Sequence, residues 1–275
     1  MDVRGNTSLV APYKHHFAFP FEQGIPDDEV TQLLVKYWPH TVTVSAVYLA
    51  LVYSIQWAMS DPKTPPYDLK RQLFLWNGAL ALFSIFGFLR TSEEFFHTVY
   101  NHGYYKSICY SMDTSSVTAH WYLFFALSKF VELGDTIFLV LRKRPLTFLH
   151  AYHHCSVMVY TFNAGAEHLA CGRWFMWMNL CAHSVMYVYY TVMSTGTKVP
   201  RAIAKCVTLV QITQMFLGII VSMSVFLAKH VLNLPCKQSN TNLYLAFGIY
   251  ISYAFLFVRF FYQAYSTQPK AKKIE

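Results

Sequence analysis

The sequence predicts an all-α polytopic membrane protein with seven transmembrane helices. Its 275 residues are 55% hydrophobic, 18% aromatic and only 13% charged, and the mean hydropathy is +0.28. About a quarter of the residues in a soluble domain are charged, so this composition is typical of a chain that lies in a bilayer. The second observation is that runs of about 20 apolar residues, the length at which a helix crosses a bilayer, recur along the chain.

Seven apolar runs have the length of a spanning helix, and charged or turn-rich segments such as SDPKTPPYDLKR, RKRP and TGTKVPRAIAK separate them. The runs cover residues 40–59, 72–89, 118–141, 146–165, 174–194, 206–228 and 243–265. We therefore expect an N-terminal tail over 1–36, a seven-helix membrane domain over 37–266 and a C-terminal tail over 267–275. The first run is too long for the apolar part of a secretory signal peptide, so no such peptide is predicted.

Basic residues predict the orientation, because the cytosolic loops of membrane proteins are enriched in Lys and Arg. If the N-terminus is lumenal, twelve basic residues fall in the cytosolic loops and C-terminal tail, and five fall in the lumenal loops between the runs. The first set is Lys63, Lys70, Arg71, Arg142, Lys143, Arg144, Lys198, Arg201, Lys205, Lys270, Lys272 and Lys273, and the second is Arg90, Lys106, Arg173, Lys229 and Lys237. This bias favours a lumenal N-terminus and a cytosolic C-terminus.

Two short motifs agree with that orientation. Asn6-Thr7-Ser8 is a glycosylation sequon on the lumenal side. Lys272 and Lys273 have the spacing from the carboxyl end of a dilysine retrieval signal, an address that is read from the cytosol. The alternative for the lysines is a basic juxtamembrane tail without an address. The retrieval signal predicts a multi-pass protein of the endoplasmic reticulum membrane.

Three cysteines lie in predicted lumenal loops, where disulfides persist. A Cys109–Cys236 bridge would tie the loop after the second run to the loop after the sixth, and Cys171 is a competitor for the pairing. The remaining cysteines lie within the runs or at their edges and are predicted to be small apolar packing residues: Cys155, Cys181 and Cys206.

The net charge of +8 does not indicate a nucleic-acid partner. The basic residues cluster in short loops between apolar runs, and no basic face interleaved with aromatic residues stands in a soluble segment. Basic loops that face the cytosol can instead bind an anionic soluble ligand.

Polar side chains form stripes on four of the runs, because residues three and four apart share a helix face. The stripes are Lys129, Glu132 and Thr136 with Asp135 at the edge (KFVELGDT), His150, His153 and His154 (LHAYHHC), His183, Tyr187 and Tyr190 (NLCAHSVMYVYY), and Thr208, Gln211 and Gln214 (TLVQITQ). Charged groups in hydrocarbon are costly, and they usually mark a functional site that faces the interior of the bundle. All four stripes lie between the midplane and the cytosolic ends of their runs, so we expect one cavity that opens to the cytosol. Taken singly, the acids and the lysine fit a structural ion-pair network, and His183 fits a packing residue.

The histidine box H-x-x-H-H leaves two chemistries open. Neutral imidazoles at this spacing can bind a metal, and three of them with a carboxylate would hold one zinc ion. Histidine also serves as a general base or as a nucleophile. The sequence has no Gly-x-Ser-x-Gly motif, so histidine is the better candidate for an acyl intermediate.

The four motifs together resemble those of the very-long-chain fatty acid elongases, the condensing 3-ketoacyl-CoA synthases of the endoplasmic reticulum. KFVELGDT fits K-x-x-E-x-x-D-T, LHAYHH contains H-x-x-H-H, HSVMYVYY fits H-x-x-M-Y-x-Y-Y, and TLVQITQ fits T-x-x-Q-x-x-Q. Pro145 and the run CGRWFMWMN are similar to the branch that handles saturated and monounsaturated chains.

The resemblance implies a reaction in which a long-chain acyl-CoA condenses with malonyl-CoA. The products are carbon dioxide, CoA and a 3-ketoacyl-CoA that is two carbons longer, and no cofactor or metal is required. It also implies a barrel of the last six helices around an acyl tunnel, with the first helix outside. The implied partners are membrane lipid and the other enzymes of the elongation cycle, and a second copy of the chain is a candidate.

The resemblance also assigns roles to residues. His153 would carry the acyl group, and His183 would face it across the cavity. The other roles follow in sets: enolate stabilisation by His150, His154, Tyr187, Gln211 and Gln214; support by Lys129, Glu132, Asp135, Thr136 and Tyr190; and CoA phosphate binding by Lys143, Lys198, Lys205 and Arg259. Two alternatives remain at this point: a metal-dependent membrane hydrolase or oxygenase that uses the histidine box, and a seven-helix transporter.

Overall fold

A computed structural model describes residues 9–24 and 27–265, and the regular secondary structure of this part is helical apart from one short strand pair. The helices are α1 (Asp27–Tyr37), α2 (His40–Ala58), α3 (Lys70–His97), α4 (Gly103–Cys109), α5 (Val117–Glu132), α6 (Gly134–Leu141), α7 (Phe148–Ala166), α8 (Gly172–Ser194), α9 (Arg201–Phe226) and α10 (Asn240–Tyr265). Two π-helical turns extend α3 and α9 at Thr98–His102 and Leu227–Val231. Strands β1 (Val10–Ala11) and β2 (Ser111–Met112) pair in parallel.

Within the described residues, four helical segments are long and apolar enough to cross a membrane, which supports a multi-pass membrane protein. They are His40–Ala58, Lys70–Cys109, Arg201–Val231 and Asn240–Tyr265. The other three predicted spans correspond to α5 with α6, to α7 and to α8, which carry the lysine, the acids and the histidines of the polar stripes. Polar residues lower the mean hydropathy of α7 and α8, whereas the break at Leu133 leaves α5 and α6 each too short to cross a bilayer. The count of seven spans therefore stays a prediction.

The second predicted run is longer in the structure than in the sequence analysis. The apolar pattern ends at residue 89, whereas α3 continues past Arg90 and Glu94. Both charges have buried partners: Arg173 Nη2 lies 2.8 Å from a Glu94 oxygen, and Arg90 Nη2 lies 2.7 Å from a Glu22 oxygen. Pairing removes most of the cost of burying a charge, so the helix does not end where the charged residues begin.

The third predicted run, 118–141, is two helices rather than one. Helix α5 ends at Glu132 and α6 begins at Gly134, with Leu133 between them. A Cβ at Gly134 would lie 2.6 Å from Cζ2 of Trp76, closer than real Cβ contacts come. Glycine is therefore required at this break, since it allows the Trp76 indole of α3 to lie against the backbone.

The N-terminal segment is packed on the helices, which the prediction of a plain tail over 1–36 did not include. Glu22 is buried and accepts hydrogen bonds from the Arg90 guanidinium, from Trp121 Nε1 at 2.7 Å and from the Phe19 amide at 2.9 Å. Burial disfavours the carboxylate, but these donors outweigh it and hold the pKa of Glu22 below its usual value. The segment is thereby fastened to α3 and α5.

The site is surrounded by long helices that contact one another in a fixed order. Helix α3 packs against α8, α8 against α9, α9 against α10, α10 against α7, α7 against α5, and α5 against α3. Helix α2 packs on the outside of this set, against α6 and α7. The inner helices therefore have a neighbour on each side, and their inward side chains face a common interior.

Cys109 and Cys236, the pair that the sequence analysis favoured, form a disulfide between α4 and the segment that precedes α10. Cys171 is a buried thiol whose Sγ lies 3.1 Å from Oε1 of Gln238, so it does not take part in the bridge. The predicted sequon at Asn6 and the predicted retrieval signal at Lys272 and Lys273 lie outside the described residues.

Candidate active site

The polar stripes meet at a cavity of ≈ 750 Å³ between the inner helices. Predicted site residues that line it are His150, His153, His154, His183, Asp135, Tyr187, Tyr190, Gln211 and Gln214. Lys129, Glu132 and Thr136 lie behind this lining and are almost fully buried. One cavity thus contains all four histidines of the predicted site.

The histidine box lies in the first turns of α7. Thr147 is the N-cap residue, and its hydroxyl accepts a hydrogen bond from the amide of His150 at 3.3 Å. His150 and His154 share a face, with ring centroids 4.4 Å apart. Nε2 of His150 lies 2.8 Å from the hydroxyl of Thr136, which in turn contacts the hydroxyl of Tyr48 on α2. The outer helix α2 therefore helps to hold a box histidine in place.

His153 lies one helical turn after His150 and contacts α10. Its ring centroid lies 5.4 Å from that of His154, 5.0 Å from that of Tyr253 and 6.3 Å from that of Phe257. Tyr253 also donates a hydrogen bond to the backbone carbonyl of His153 at 3.3 Å. Helix α10 thus supplies the aromatic surface against which the His153 imidazole lies.

A cycle of hydrogen bonds holds His183. Lys129 Nζ donates to Glu132 Oε1 at 2.8 Å and to the Asn179 side-chain oxygen at 2.9 Å. The Asn179 amide nitrogen lies 3.3 Å from Nε2 of His183, and Nδ1 of His183 lies 3.5 Å from Glu132 Oε1. Both ring nitrogens of His183 therefore face a partner, with Nε2 as the acceptor and Nδ1–H as the donor. Ser128 completes the set with a hydrogen bond to Glu132 Oε1 at 3.1 Å.

Asp135 belongs to a second network and does not share Lys129 with Glu132. Its two oxygens accept hydrogen bonds from Trp76 Nε1 at 2.6 Å and from the Tyr187 hydroxyl at 2.7 Å. This arrangement depends on Gly134, because the indole of Trp76 reaches the carboxylate across that residue. The proposed ion-pair network of two acids and one lysine is therefore replaced by one ion pair and one carboxylate with two neutral donors.

The polar side chains on α9 form few hydrogen bonds with other parts of the protein. Gln211 donates to the sulfur of Met186 at 3.1 Å, and the hydroxyl of Thr208 lies 3.2 Å from that of Tyr265. Gln214 is buried and lines the cavity beside Met215. The amides of α9 are thus placed where they can bind a substrate.

The mouth of the cavity is basic, but most of its cations differ from those predicted. Lys198 lines the cavity together with Lys70, Arg142 and Arg144. Lys143 instead donates to the backbone carbonyl of Asp61 at 2.8 Å. Its φ of 53° places it in the left-handed region, so the chain turns between Arg142 and Arg144.

The other two predicted phosphate ligands also lie away from the lining. Lys205 has its ammonium 5.5 Å from the ring of Phe261, and Arg259 is exposed on α10. The RKRP segment of the sequence predicted basic residues at the cytosolic end of the cavity. Sequence spacing does not show which of three adjacent cations turns inward, because that depends on the backbone turn.

A second, apolar cavity of ≈ 40 Å³ adjoins the first beside His153, and we call it the apolar branch. His153, Asn179, Gln214 and Met215 line both spaces. Further along, the lining is mostly aromatic and aliphatic: Tyr122, Phe125, Val157, Tyr160, Ala164, Phe175, Met176, Ile249, Tyr250 and Tyr253. A mostly apolar space thus lies next to the polar site.

Asn179 and Trp76 belong to the site but were not among the predicted residues. Asn179 stands four residues before His183, so helical spacing places both on one face of α8 and was a usable signal. Trp76 is separated from Asp135 by 59 positions, and nothing local in the sequence connects them.

A metal site would need acids or imidazoles that point to one common centre. Within residues 9–24 and 27–265, no group of three or more His, Cys, Asp and Glu side chains is placed to hold a metal ion. His150 faces the hydroxyl of Thr136, and His183 faces Asn179 and Glu132. His150 and His183 are therefore directed to different partners.

Comparison with known proteins adds independent information. Residues 33–273 match the model of the family described as "ELO: GNS1/SUR4 family". The chain is 47% identical over 272 residues to "Putative fatty acid elongase 4" of Caenorhabditis elegans, covering 98% of this chain and 93% of that protein. It is 43% identical to "Putative fatty acid elongase 3" of the same organism, covering 90% of this chain and 77% of that protein. It is also 38% identical to "Very long chain fatty acid elongase 6" of Rattus norvegicus, covering 94% and 96% of the two chains.

Proposed function

The chain belongs to the ELO (GNS1/SUR4) family of fatty acid elongases, and from this premise we propose that it catalyses the condensing step of elongation. A long-chain acyl-CoA and malonyl-CoA would give a 3-ketoacyl-CoA two carbons longer, one carbon dioxide and one CoA. The observation that carries the proposal is the shape of the site: a cavity with a basic mouth and four histidines adjoins an apolar branch at His153. A CoA thioester has the matching order of parts: phosphates, a reactive carbonyl and an alkyl chain.

The proposed reaction has two steps on His153. A ring nitrogen attacks the thioester carbonyl, an N–C bond forms, the C–S bond breaks, and CoA leaves as the thiol with the imidazole proton. Malonyl-CoA then loses carbon dioxide, and the enolate carbon attacks the acyl-imidazole. The new C–C bond forms, the N–C bond breaks, and the departing imidazole nitrogen takes up one proton from water at the cavity mouth, which regenerates neutral His153. The position of His153 at the entrance of the apolar branch supports it as the acyl carrier.

His183 is better suited to a supporting role than to attack. Its Nε2 accepts from Asn179 and its Nδ1–H faces Glu132, so neither nitrogen is available without breaking the cycle. In the second step Nε2 would exchange the Asn179 contact for a proton, and the resulting N–H would donate to the oxygen of the enolate as its charge develops. We assign the same role to His150, His154, Tyr187, Gln211 and Gln214, and we assign the positioning of these groups to Lys129, Glu132, Asp135, Thr136 and Tyr190.

The cations that line the mouth are proposed to bind the CoA phosphates. Guanidinium groups form paired, charge-assisted hydrogen bonds with phosphate oxygens. Arg142 and Arg144 lie on the loop that joins α6 to α7, one residue to either side of Lys143. Lys198 and Lys70 line the same space from two other segments.

Charge reversal tests this mouth. We expect the double variant Arg142→Glu and Arg144→Glu to raise the KM for both CoA substrates by about 10-fold or more, because like charges then repel the phosphates. The kcat should change much less, since the hydrogen bonds and the ion pair of His150 and His183 involve neither arginine. Steady-state kinetics at several salt concentrations measures both effects. Lys143→Glu is the matched control, and an equal rise in KM for that variant would contradict the assignment of the two arginines.

The architecture that fits this chemistry is a six-helix barrel. The order of helix contacts supports it, because α3, α8, α9, α10, α7 and α5 with α6 each have a neighbour on both sides. Helix α2 would stand outside as a seventh span. With the basic mouth toward the cytosol, the N-terminus is lumenal and the C-terminus cytosolic, in the endoplasmic reticulum membrane. The proposed partners are membrane lipid, the other enzymes of the elongation cycle and a second copy of the chain.

A product assay tests the proposed function. We expect purified protein in lipid to convert malonyl-CoA and a saturated or monounsaturated long-chain acyl-CoA into the 3-ketoacyl-CoA, with one carbon dioxide for each product. Mass spectrometry of the acyl-CoA pool detects it, and the same reaction with a metal chelator should give an equal rate. No product from saturated, monounsaturated or polyunsaturated acyl-CoA, with folded protein, would overturn the proposal. Loss of product with the chelator would favour the metal-dependent alternative.

A further inference from the structure

The apolar branch ends at a ring that has a second cavity behind it. Tyr122 lies on the lining of the branch and also on the lining of a separate cavity of ≈ 50 Å³. Ala164 is likewise shared between the two linings. The second cavity is bounded by side chains of α1, α5 and α7, among them Leu34 and His120. The ring of Tyr122 therefore stands between two spaces in the helix bundle.

The ring is held at this place by two glycines and a hydrogen bond. A Cβ at Gly165 would lie 2.8 Å from Cε1 of Tyr122, and a Cβ at Gly172 would lie 3.3 Å from Cε2. The ring thus rests directly on the backbone at the end of α7 and the start of α8. Its hydroxyl donates to the carbonyl of Thr161 at 3.0 Å. A ring fixed on backbone on both sides cannot swing aside as a flexible side chain would.

The distance from His153 to this ring is set by α7. Ala164 lies eleven residues beyond His153 on the same helix, and at the usual rise per residue this is about 16 Å. An acyl chain attached to His153 that follows the branch therefore meets the Tyr122 ring at a fixed depth. Each added methylene beyond that depth has no space on the near side of the ring.

We propose that Tyr122 is a specificity-determining residue that sets the longest acyl chain the site accepts. This inference rests on the proposed function and deepens it, because it names the side chain at which the alkyl tail stops. The cavity behind the ring supplies the space that a longer tail would occupy if the ring were absent. Its lining of Val30, Leu34, Leu123 and Leu169 is apolar enough to receive a methyl end.

The test compares Tyr122→Ala with Tyr122→Phe across a series of saturated acyl-CoAs. We expect the alanine variant to extend the accepted range by at least one two-carbon step. The measured quantity is the rate on the shortest acyl chain that the wild type rejects, divided by the rate on its preferred chain. We expect this ratio to be about 10-fold higher in Tyr122→Ala, because burial of two further methylenes stabilises the bound chain by about that factor. The phenylalanine variant keeps the ring and should keep the wild-type range. Phe130→Ala is the matched control, because Phe130 lies on α5 and packs against Phe162, away from all three cavities.

Two readouts separate this inference from the proposed function. Product formation measures turnover, and the increase in Tm on adding each acyl-CoA measures occupancy without chemistry. An unchanged chain-length profile in Tyr122→Ala, with the wild type active, would overturn the inference alone. If acyl-CoA raises the Tm of the wild type but no product forms, the proposed function is overturned. The role of Tyr122 would still be decided by whether the acyl-chain length that gives the largest rise in Tm is longer in Tyr122→Ala than in the wild type. If the alanine variant does not fold, Tyr122→Leu removes the ring with a smaller loss of volume, and its profile decides in the same way.

Discussion

Replacing His153 with alanine is expected to lower kcat for 3-ketoacyl-CoA formation by at least about 10³-fold, as loss of a covalent nucleophile does. The folded state should survive, because the ring of His153 contacts the aromatic groups of Tyr253 and Phe257 and takes part in no ion pair of the described residues. Mass spectrometry of the intact protein gives the sharper measurement. After incubation with acyl-CoA alone, the wild type should gain the mass of one acyl group, and His153→Ala should not.

The controls for this prediction distinguish the carrier from its neighbours. His230→Ala changes a histidine that packs against Phe226 outside the cavity, and it should leave turnover at the wild-type level. His183→Ala should lose turnover but still accept the acyl group, since its proposed role is in the second step. An acyl adduct that persists in His153→Ala would mean that another residue carries the chain. Near-wild-type turnover in that variant would exclude covalent catalysis by His153.

The site could be predicted from sequence where its residues share a helix face. His150, His153 and His154 stand within five positions, and α-helical spacing alone brings them together. The same reasoning places Gln211 and Gln214 on one side of α9. In a membrane helix these polar side chains also stand out against an apolar background, so their common direction can be inferred from the cost of exposing them to lipid.

Features that depend on distant contacts could not be predicted in this way. The apolar pattern gives no reason for α3 to continue past Arg90, because the partner of that arginine is Glu22 in the N-terminal segment. The need for glycine at the start of α6 comes from Trp76, which reaches Gly134 from another helix. The inward cations at the mouth depend on the left-handed backbone at Lys143. Each of these contacts joins groups whose proximity exists only after the helices pack.

Glu132 connects stability and catalysis more closely than any other group of the polar networks described above. Its Oε1 accepts from Lys129 and Ser128 and lies 3.5 Å from Nδ1 of His183. Lys129 is 1% exposed, so removing the carboxylate leaves a buried ammonium that keeps Asn179 as its hydrogen-bond partner but has no counter-charge. Breaking one side of a buried ion pair costs about 3–5 kcal/mol, whereas replacing both members with apolar residues is often neutral.

We therefore expect Glu132→Ala to lower the free energy of unfolding by about 3–5 kcal/mol and to lose turnover as well. The double variant Lys129→Met and Glu132→Leu should recover most of that stability, because no charge is then left unpaired. It should nevertheless stay inactive, since His183 has lost the acceptor that orients its ring. Thermal melts and the product assay on the same samples measure the two effects separately. Asp68→Asn is the control for an exposed acid and should change neither. A stable and active double variant would show that catalysis does not need the ion pair. Asn179 would then be the residue that positions His183.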